Sequence, residues 1–114
     1  QFIIARAKHE LPHRLLSLAQ QHHLMINKIR VATPKTRWGS CNSKQDIMLH
    51  AGLILMPKQY ADYVILHELV HTRYMHHQAT FWQLLEELMP DAKIIQHQVK
   101  RWSLPTWWQP HIKD

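Results

Sequence analysis

The sequence has a single cysteine and no long apolar run, and each of these features excludes a class of protein. Cys41 is the one cysteine among 114 residues, so no internal disulfide can form and nothing argues for an oxidising compartment. The chain has no run of about 18 apolar residues, which excludes a membrane-spanning helix. The apolar stretch Phe2–Ile4 is too short for the core of a signal peptide, so we expect a cytoplasmic protein. Because residue 1 is Gln rather than Met, the sequence leaves open whether a targeting segment was removed.

Length and charge set the broad class. A chain of 114 residues with 46% hydrophobic content predicts one globular domain over residues 1–114. The net charge of +6 and the pI near 9.8 allow an acidic partner such as nucleic acid. The basic residues are scattered, however, and only Lys28–Arg30 and Lys100–Arg101 approach clusters. We therefore interpret them mainly as solvated surface.

The most informative stretch is His67-Glu68-Leu69-Val70-His71. On a helix, residues four apart share one face, so His67 and His71 can place two imidazoles on one metal ion. Glu68 projects to the side of the first ligand, within reach of a water on that metal. This pattern is the helix signature of zinc hydrolases, with two ligands and a general base. The chain holds 11 histidines, so a chance match is the alternative to be weighed.

The surrounding sequence favours the metal over the chance match. From about Pro57 to Met75 the residues follow a helical pattern, with Pro57 suited to the first turn. Both faces of this helix are apolar or aromatic, which is typical of a buried helix. Two histidines and a glutamate are costly to bury unless something satisfies them, and a metal ion does so. A catalytic zinc needs a third ligand, and by spacing alone His76 and His77 are both candidates.

The remaining pattern predicts a compact α+β domain with a small sheet packed on the metal helix. Pro12 fits the first turn of the first helix, and its buried stripe consists of Leu15, Leu16, Leu18 and Ala19. The second and third strands form a hairpin. The predicted elements are a helix over about Leu11–His23, strands over Met25–Thr33, Thr36–Cys41 and Ile47–His50, an apolar crossover over Ala51–Met56, and helices over about Ala79–Met89 and Asp91–Ser103.

Several separated motifs together resemble one known family, the YgjP-like metallopeptidase domain, which is similar to the SprT-like and WLM metallopeptidases. The resemblance covers about residues 11 to 102. The motifs that carry it are, in order, Arg37-Trp38-Gly39-Ser40-Cys41, Asp46-Ile47 with Leu49, Asp62-Tyr63-Val64, the HELVH helix, His77, Phe81-Trp82 and Pro90-Asp91.

The resemblance implies a small, soluble, zinc-dependent protease with a mixed sheet on the metal helix. The family pattern selects His77 over His76 as third ligand. The ligand set is then His67, His71 and His77 on Zn²⁺, and Glu68 is the general base for attack of a zinc-bound water on a peptide bond. A third ligand from Glu86 or Glu87 is the alternative. The spacing also equals that of the metzincins, but Tyr74 stands where those proteases have Gly.

Three positions depart from the family pattern. His76 replaces an Asn, Gln78 replaces a helix-capping Ser, and Gln45 replaces a Gly in the hairpin. We expect a wider hairpin turn from the last change. Thr80 with Gln83 offers a capping box instead of the missing Ser, which would shift the start of the next helix.

The substrate is predicted to be a protein or peptide. The stretch Trp38-Gly39-Ser40 is a candidate sheet edge to which an extended peptide adds by main-chain hydrogen bonds. The alternative is that Trp38 fills the core and Gly39 allows a bulge. Besides the zinc, a second group is often needed to donate a hydrogen bond to the oxyanion that forms when water attacks the peptide carbonyl. The sequence offers four candidates and does not rank them: Tyr60, Tyr63, Tyr74 and His76. Cys41 has no base paired with it in the sequence, which argues against a cysteine nucleophile.

Two other functions compete with a peptidase. One is a zinc-stabilised, non-catalytic module that binds DNA or a protein; Glu68 argues against it, because a structural zinc needs a fourth ligand and no base. The other is an interaction domain that docks a partner through its Trp107-Trp108 tail. The oligomeric state is not set by the sequence.

Overall fold

A computed structural model describes residues 2–107 and confirms the predicted α+β fold. A three-stranded sheet and four α-helices surround one core. In chain order the elements are α1 (Phe2–Gln21), β1 (Ile29–Ala32), β2 (Gly39–Cys41), β3 (Ile47–His50), a 3-10 helix (Ala51–Leu55), α2 (Lys58–His71), α3 (Ala79–Leu88) and α4 (Ala92–Arg101).

The sheet is mixed, with strand order β1-β3-β2. β1 runs parallel to β3, and β2 pairs antiparallel with β3, so the predicted hairpin is confirmed. β1 and β2 are both shorter than predicted. The central strand has only four residues, and each neighbour can pair only along that length. β2 has one partner and is therefore an edge strand of this sheet.

The hairpin loop is fastened to the end of α2. The Asn42 side-chain oxygen accepts hydrogen bonds from the backbone N–H groups of Lys44 and Asp46, at 2.9 and 3.1 Å. Gln45 has φ 66°, a conformation that favours glycine, and glycine is what the resembling family has there. The Gln45 amide donates to the Thr72 carbonyl over 3.1 Å. This bond helps to offset the backbone strain and ties the loop to the residue after α2.

The first helix is longer than predicted, because its buried stripe begins earlier. The stripe is Ala7, Leu11, Leu15 and Ala19, spaced four residues apart. The residues before Leu11 are thus part of the helix, and Pro12 lies inside it rather than in its first turn. Leu16 was wrongly assigned to the buried stripe, since 44% of its surface is exposed.

Helix α2 lies at the centre of the molecule, in contact with α1, β2, β3, the 3-10 helix, α3 and α4. Nine of its 14 residues are buried, as predicted for a helix that is apolar on both faces. An ion pair between Arg14 and Asp62, 2.9 Å long and part-buried, joins α1 to α2. Lys58 approaches the other Asp62 oxygen at 2.7 Å.

Helix α2 ends at His71, and the prediction that it continues to Met75 is wrong. The Thr72 hydroxyl donates to the Leu69 carbonyl at 2.6 Å, and the Tyr74 N–H donates to the Val70 carbonyl at 2.9 Å. These bonds satisfy two of the last carbonyls of the helix. The chain can then leave the helix axis and turn back over residues 72–78.

The C-terminal helices follow the prediction closely. α3 begins at Ala79 with Gln78 as N-cap, so the expected capping box and the shifted start are wrong. Within residues 2–107, no helix combines the length and the apolar character that a bilayer crossing requires. In the Trp107-Trp108 tail, Trp107 is 68% exposed and Trp108 lies outside the described residues.

Candidate metal centre

Three histidine rings meet over a single phenylalanine. His67 and His71 lie one turn apart on α2, and the turn after the helix brings His77 to them. The three rings all pack against Phe81 of α3, with centroid distances of 5.0, 4.6 and 5.0 Å, and those of His67 and His77 meet it edge-on. Phe81 is fully buried and forms the floor of the cluster. Phe81 was not among the site residues predicted from the sequence, although its position one turn after His77 was a signal.

The ring nitrogens converge at a spacing that suits a cation. His77 Nε2 lies 2.9 Å from His71 Nε2 and 3.4 Å from His67 Nε2. Two nitrogens bound to one tetrahedral zinc at about 2.0–2.1 Å are separated by roughly 3.3 Å. The donor set and its spacing therefore fit a zinc ion. Within residues 2–107, this is the one group of three or more His, Cys, Asp or Glu side chains close enough to hold a metal.

The hydrogen-bond partners of the Nδ1 atoms of His67 and His71 favour metal binding through the other ring nitrogen, Nε2. His71 Nδ1 lies 2.9 Å from the Tyr74 carbonyl oxygen, which can only accept, so Nδ1 carries the proton. His67 Nδ1 lies 3.3 Å from the Tyr63 hydroxyl. Metal-binding histidines commonly use the second nitrogen in this way, which orients the ring. The Nε2 lone pair of His71 is thereby left for a metal, and that of His67 is too when Nδ1 donates to Tyr63.

The alternative third ligands lie elsewhere. His76 Nδ1 accepts a hydrogen bond from the Gln78 N–H at 3.1 Å, and its Nε2 lies 3.5 Å from the Thr80 hydroxyl. His76 thus contacts the start of α3. Glu86 and Glu87 are not in the histidine cluster. The structure brings His77, and none of these three, to His67 and His71.

Glu68 lies beside the histidines with only 7% of its surface exposed. Burial raises the pKa of its carboxyl group to about 7, and the nearby positive charge of Arg37 opposes that rise. Burial and the two neighbouring histidines lower the pKa of His67 to about 4, so its ring is neutral at pH 7. Burial also lowers the pKa of His71. A carboxyl that titrates near neutral pH beside neutral imidazoles suits a proton acceptor next to a metal.

The edge strand β2 closes the other side of the site. Gly39, Ser40 and Cys41 line a cavity of about 270 Å³ together with the three histidines, Glu68 and Met75. A Cβ atom on Gly39 would lie 3.0 Å from Glu68 Cγ and 3.2 Å from its Oε2. The same Cβ atom would lie 3.1 Å from the Met48 carbonyl oxygen, so a larger residue at this position would push the strand or the Glu68 side chain away.

The hydrogen bonds of β2 show which of its backbone groups face away from the sheet. The Trp38 carbonyl accepts from His50 N–H, and Asn42 N–H donates to the Asp46 carbonyl, both toward the β3 side. Because antiparallel pairing alternates, Ser40 bonds to β3, whereas the N–H and C=O groups of Gly39 and Cys41 point away from it. Pairing is regular over Gly39–Cys41, so the bulge of the alternative interpretation is absent there.

The side chains singled out near this strand have other partners. Trp38 packs against His50 and Trp102, at centroid distances of 4.9 and 5.7 Å, as the core-filling interpretation expects. Burial raises the pKa of the Cys41 thiol to about 11, with smaller contributions from Glu68 and Asp46. Cys41 is therefore a protonated thiol at neutral pH, which argues further against a cysteine nucleophile. Tyr60, Tyr63, Tyr74 and His76, the candidate oxyanion donors, do not line the histidine cavity.

Comparison with known proteins agrees with this picture. Residues 1–102 match the YgjP-like metallopeptidase domain family, which confirms the resemblance and extends it before residue 11. The crystal structure of the metallopeptidase zymogen of Pyrococcus abyssi abylysin is similar, with a TM-score of 0.66 and 22% identity. That similarity covers 75% of this chain and 87% of that chain and shows a shared fold. No curated protein matches the sequence.

Proposed function

Because the chain belongs to the YgjP-like metallopeptidase family, we propose that it is a zinc-dependent peptidase with Glu68 as general base. The metal ligands in this proposal are His67, His71 and His77. The observation that carries it is the convergence of the three Nε2 atoms, 2.9 and 3.4 Å apart, in one cavity with a buried glutamate. Zinc bound there would polarise the peptide carbonyl and lower the pKa of a water molecule to about 7.

Glu68 moves the proton in this mechanism. Its carboxylate accepts a proton from the attacking water and then delivers it to the nitrogen of the leaving amine. Without a metal, burial raises the pKa of this carboxyl group to about 7, and a zinc ion beside it would lower that pKa and so favour the carboxylate that accepts the proton. The same burial that sets this pKa keeps bulk water away from the carboxylate.

The edge strand β2 and the residue before it, Trp38, are the proposed substrate-binding element: Gly39 offers outward backbone groups, Ser40 lines the histidine cavity, and Trp38 lies next to them in the sequence. An extended peptide would pair with the outward backbone groups, which belong to Gly39 and Cys41. Main-chain pairing holds a peptide with little dependence on its sequence. Gly39 lies against Glu68, so a peptide on this strand passes close to the general base.

The non-catalytic zinc module is the weaker alternative. A structural zinc is closed by four protein ligands, and within residues 2–107 only three clustered side chains are present. A module without catalysis also needs no general base, so it gives no reason for burying Glu68 beside the histidines. We found no feature of the described residues that favours nucleic acid over protein as the partner.

The proposal is tested by measuring zinc and proteolysis on the same sample. We expect about one zinc per chain and cleavage of an unfolded protein such as reduced, alkylated lactalbumin. Removing the zinc with a chelator should abolish cleavage, and adding zinc back should restore it. Cleavage that survives complete removal of the metal would contradict the proposal.

A further inference from the structure

A second cavity, which we call the side pocket, opens next to the histidine site. Its volume is about 180 Å³, and its walls come from the strand segment with Trp38 and from helices α2 and α4. Tyr63, Val64 and Val99 form its apolar surface, and each has at most 6% of its own surface exposed. Gln96 and Lys100 also line it.

The side pocket and the histidine cavity share three residues. Gly39, His67 and Glu68 line both, so the two cavities adjoin at the general base. A peptide paired with β2 and cleaved beside Glu68 therefore places a side chain next to the scissile bond at the mouth of this pocket. This step rests on the proposed function.

The lining decides which side chain fits. Lys100 carries the one positive charge of the pocket, but it is exposed, and an exposed ion pair contributes little to binding. An apolar side chain gains more, because it leaves water for a surface of aromatic and valine groups. An apolar cavity of about 150 Å³ accommodates a benzene molecule, so the side pocket is large enough for a leucine or a phenylalanine side chain.

We propose that the side pocket is a specificity site of the peptidase that binds one apolar substrate side chain, of leucine or phenylalanine size, next to the scissile bond. Val99 on α4, Val64 on α2 and Trp38 before β2 supply apolar groups to its lining. Cleavage would then combine sequence-tolerant pairing along β2 with selection at a single position.

The test uses dipeptide hydroxamates, which bind zinc and differ only in the side chain next to the hydroxamate. Four probes carry glycine, leucine, phenylalanine or glutamate there, and calorimetry gives the Kd of each for the zinc-loaded protein. We expect the leucine or the phenylalanine probe to bind at least about tenfold more tightly than the glycine probe, as apolar pockets commonly discriminate. The glutamate probe should not be the tightest of the four.

Two matched variants locate the discrimination. Val99→Phe fills the pocket and should reduce the leucine-to-glycine affinity ratio to about one. Ile95→Phe is the control, because Ile95 is buried one turn earlier on α4 and does not line the pocket. It should keep the ratio of the parent. Should Val99→Phe fail to fold, Trp38→Ala removes a wall from a part-exposed position and should lower the ratio as well.

The outcomes separate this inference from the proposed function. Equal Kd values for the four probes would overturn the pocket and leave the zinc peptidase intact. A ratio that Val99→Phe leaves unchanged, or a tightest glutamate probe, would also overturn it. If no probe binds, the glycine probe included, the metal site itself is wrong and the inference falls with it.

Discussion

The proposed metal site draws on two regions that are built in opposite ways. Helix α2 is packed on all sides, and its Glu68 and His71 are 7% and 8% exposed. The turn over residues 72–78 is mostly exposed, and it carries His77. The helix is held by core packing whether or not a metal is bound. The turn is held by a few hydrogen bonds, such as those from Thr72 and Gln45.

This contrast assigns different tasks to the two regions. The helix presents two of the proposed ligands and the proposed general base in fixed positions, which would lower the entropy lost on binding. The third proposed ligand comes from a segment of low local stability, and such segments gain most from a bound metal. We therefore expect changes in the helix to alter chemistry and affinity, and changes in the turn to decide whether the metal is held.

The largest effect should come from the turn. We predict that His77→Ala abolishes stoichiometric zinc binding, because only two clustered ligands would then remain. His76→Ala is the matched control and should keep its zinc, since the His76 ring bonds to the start of α3. Zinc content after dialysis, measured by mass spectrometry, decides the matter. The reverse pattern would show that the ligand is His76.

Zinc should stabilise the whole fold and the turn in particular. We predict that the free energy of unfolding rises by ~3–4 kcal/mol at a zinc concentration of a hundred to a thousand times Kd. The increase should shrink at acid pH, where protons compete for the imidazoles, and the loss should fall below pH 6.5, because burial lowers the pKa of His67 to about 4 and also lowers that of His71. Thermal unfolding with and without chelator measures it. Trypsin cleavage after exposed Arg73 should slow as well, and equal melting temperatures for the two forms would contradict the prediction.

A smaller effect is expected from the partner of His67. Tyr63→Phe removes the hydroxyl that lies 3.3 Å from His67 Nδ1 while leaving the ring and its packing in place. Loss of such a partner typically lowers metal affinity by about 10- to 100-fold. Competition with a fluorescent chelator measures the affinity. Tyr60→Phe, on the same helix but outside the site, is the control. Equal losses of metal affinity in the two variants would show that Tyr63 has no part in binding the metal.

The contact between β2 and the helix should affect turnover more than metal binding. We predict that Gly39→Ala lowers kcat by about tenfold, because its Cβ would approach Glu68 Cγ to 3.0 Å and displace the carboxylate from the water. Zinc content should stay at the parent level. Unchanged turnover with a loaded site would show that the close approach has no part in catalysis.

The sequence predicted the features that depend on short spacings. The i, i+4 relation of His67 and His71 follows from helix geometry, and the all-round apolar pattern of α2 predicts its burial. The hairpin of β2 and β3 also has a local cause, because its loop residues bond to one another. Each of these needs only a few consecutive residues.

What the sequence did not predict depends on contacts between distant segments or on single side-chain bonds. The end of α2 is set by Thr72, whose hydroxyl bonds to the helix, and no pattern of apolar residues shows that. The length of β1 is set by its parallel neighbour β3. Tyr63 and Phe81 each lie four residues from a histidine of the cluster, and that spacing was an unused signal for both.

The most direct test of the account is the substitution Glu68→Gln. Glutamine keeps the size of the side chain and leaves the three histidines untouched, but it cannot accept the proton from water. We predict a variant that is folded and binds zinc at the parent level, while cleavage of an unfolded protein falls by roughly 10²-fold or more. A zinc-loaded variant that cleaves as fast as the parent would contradict the account.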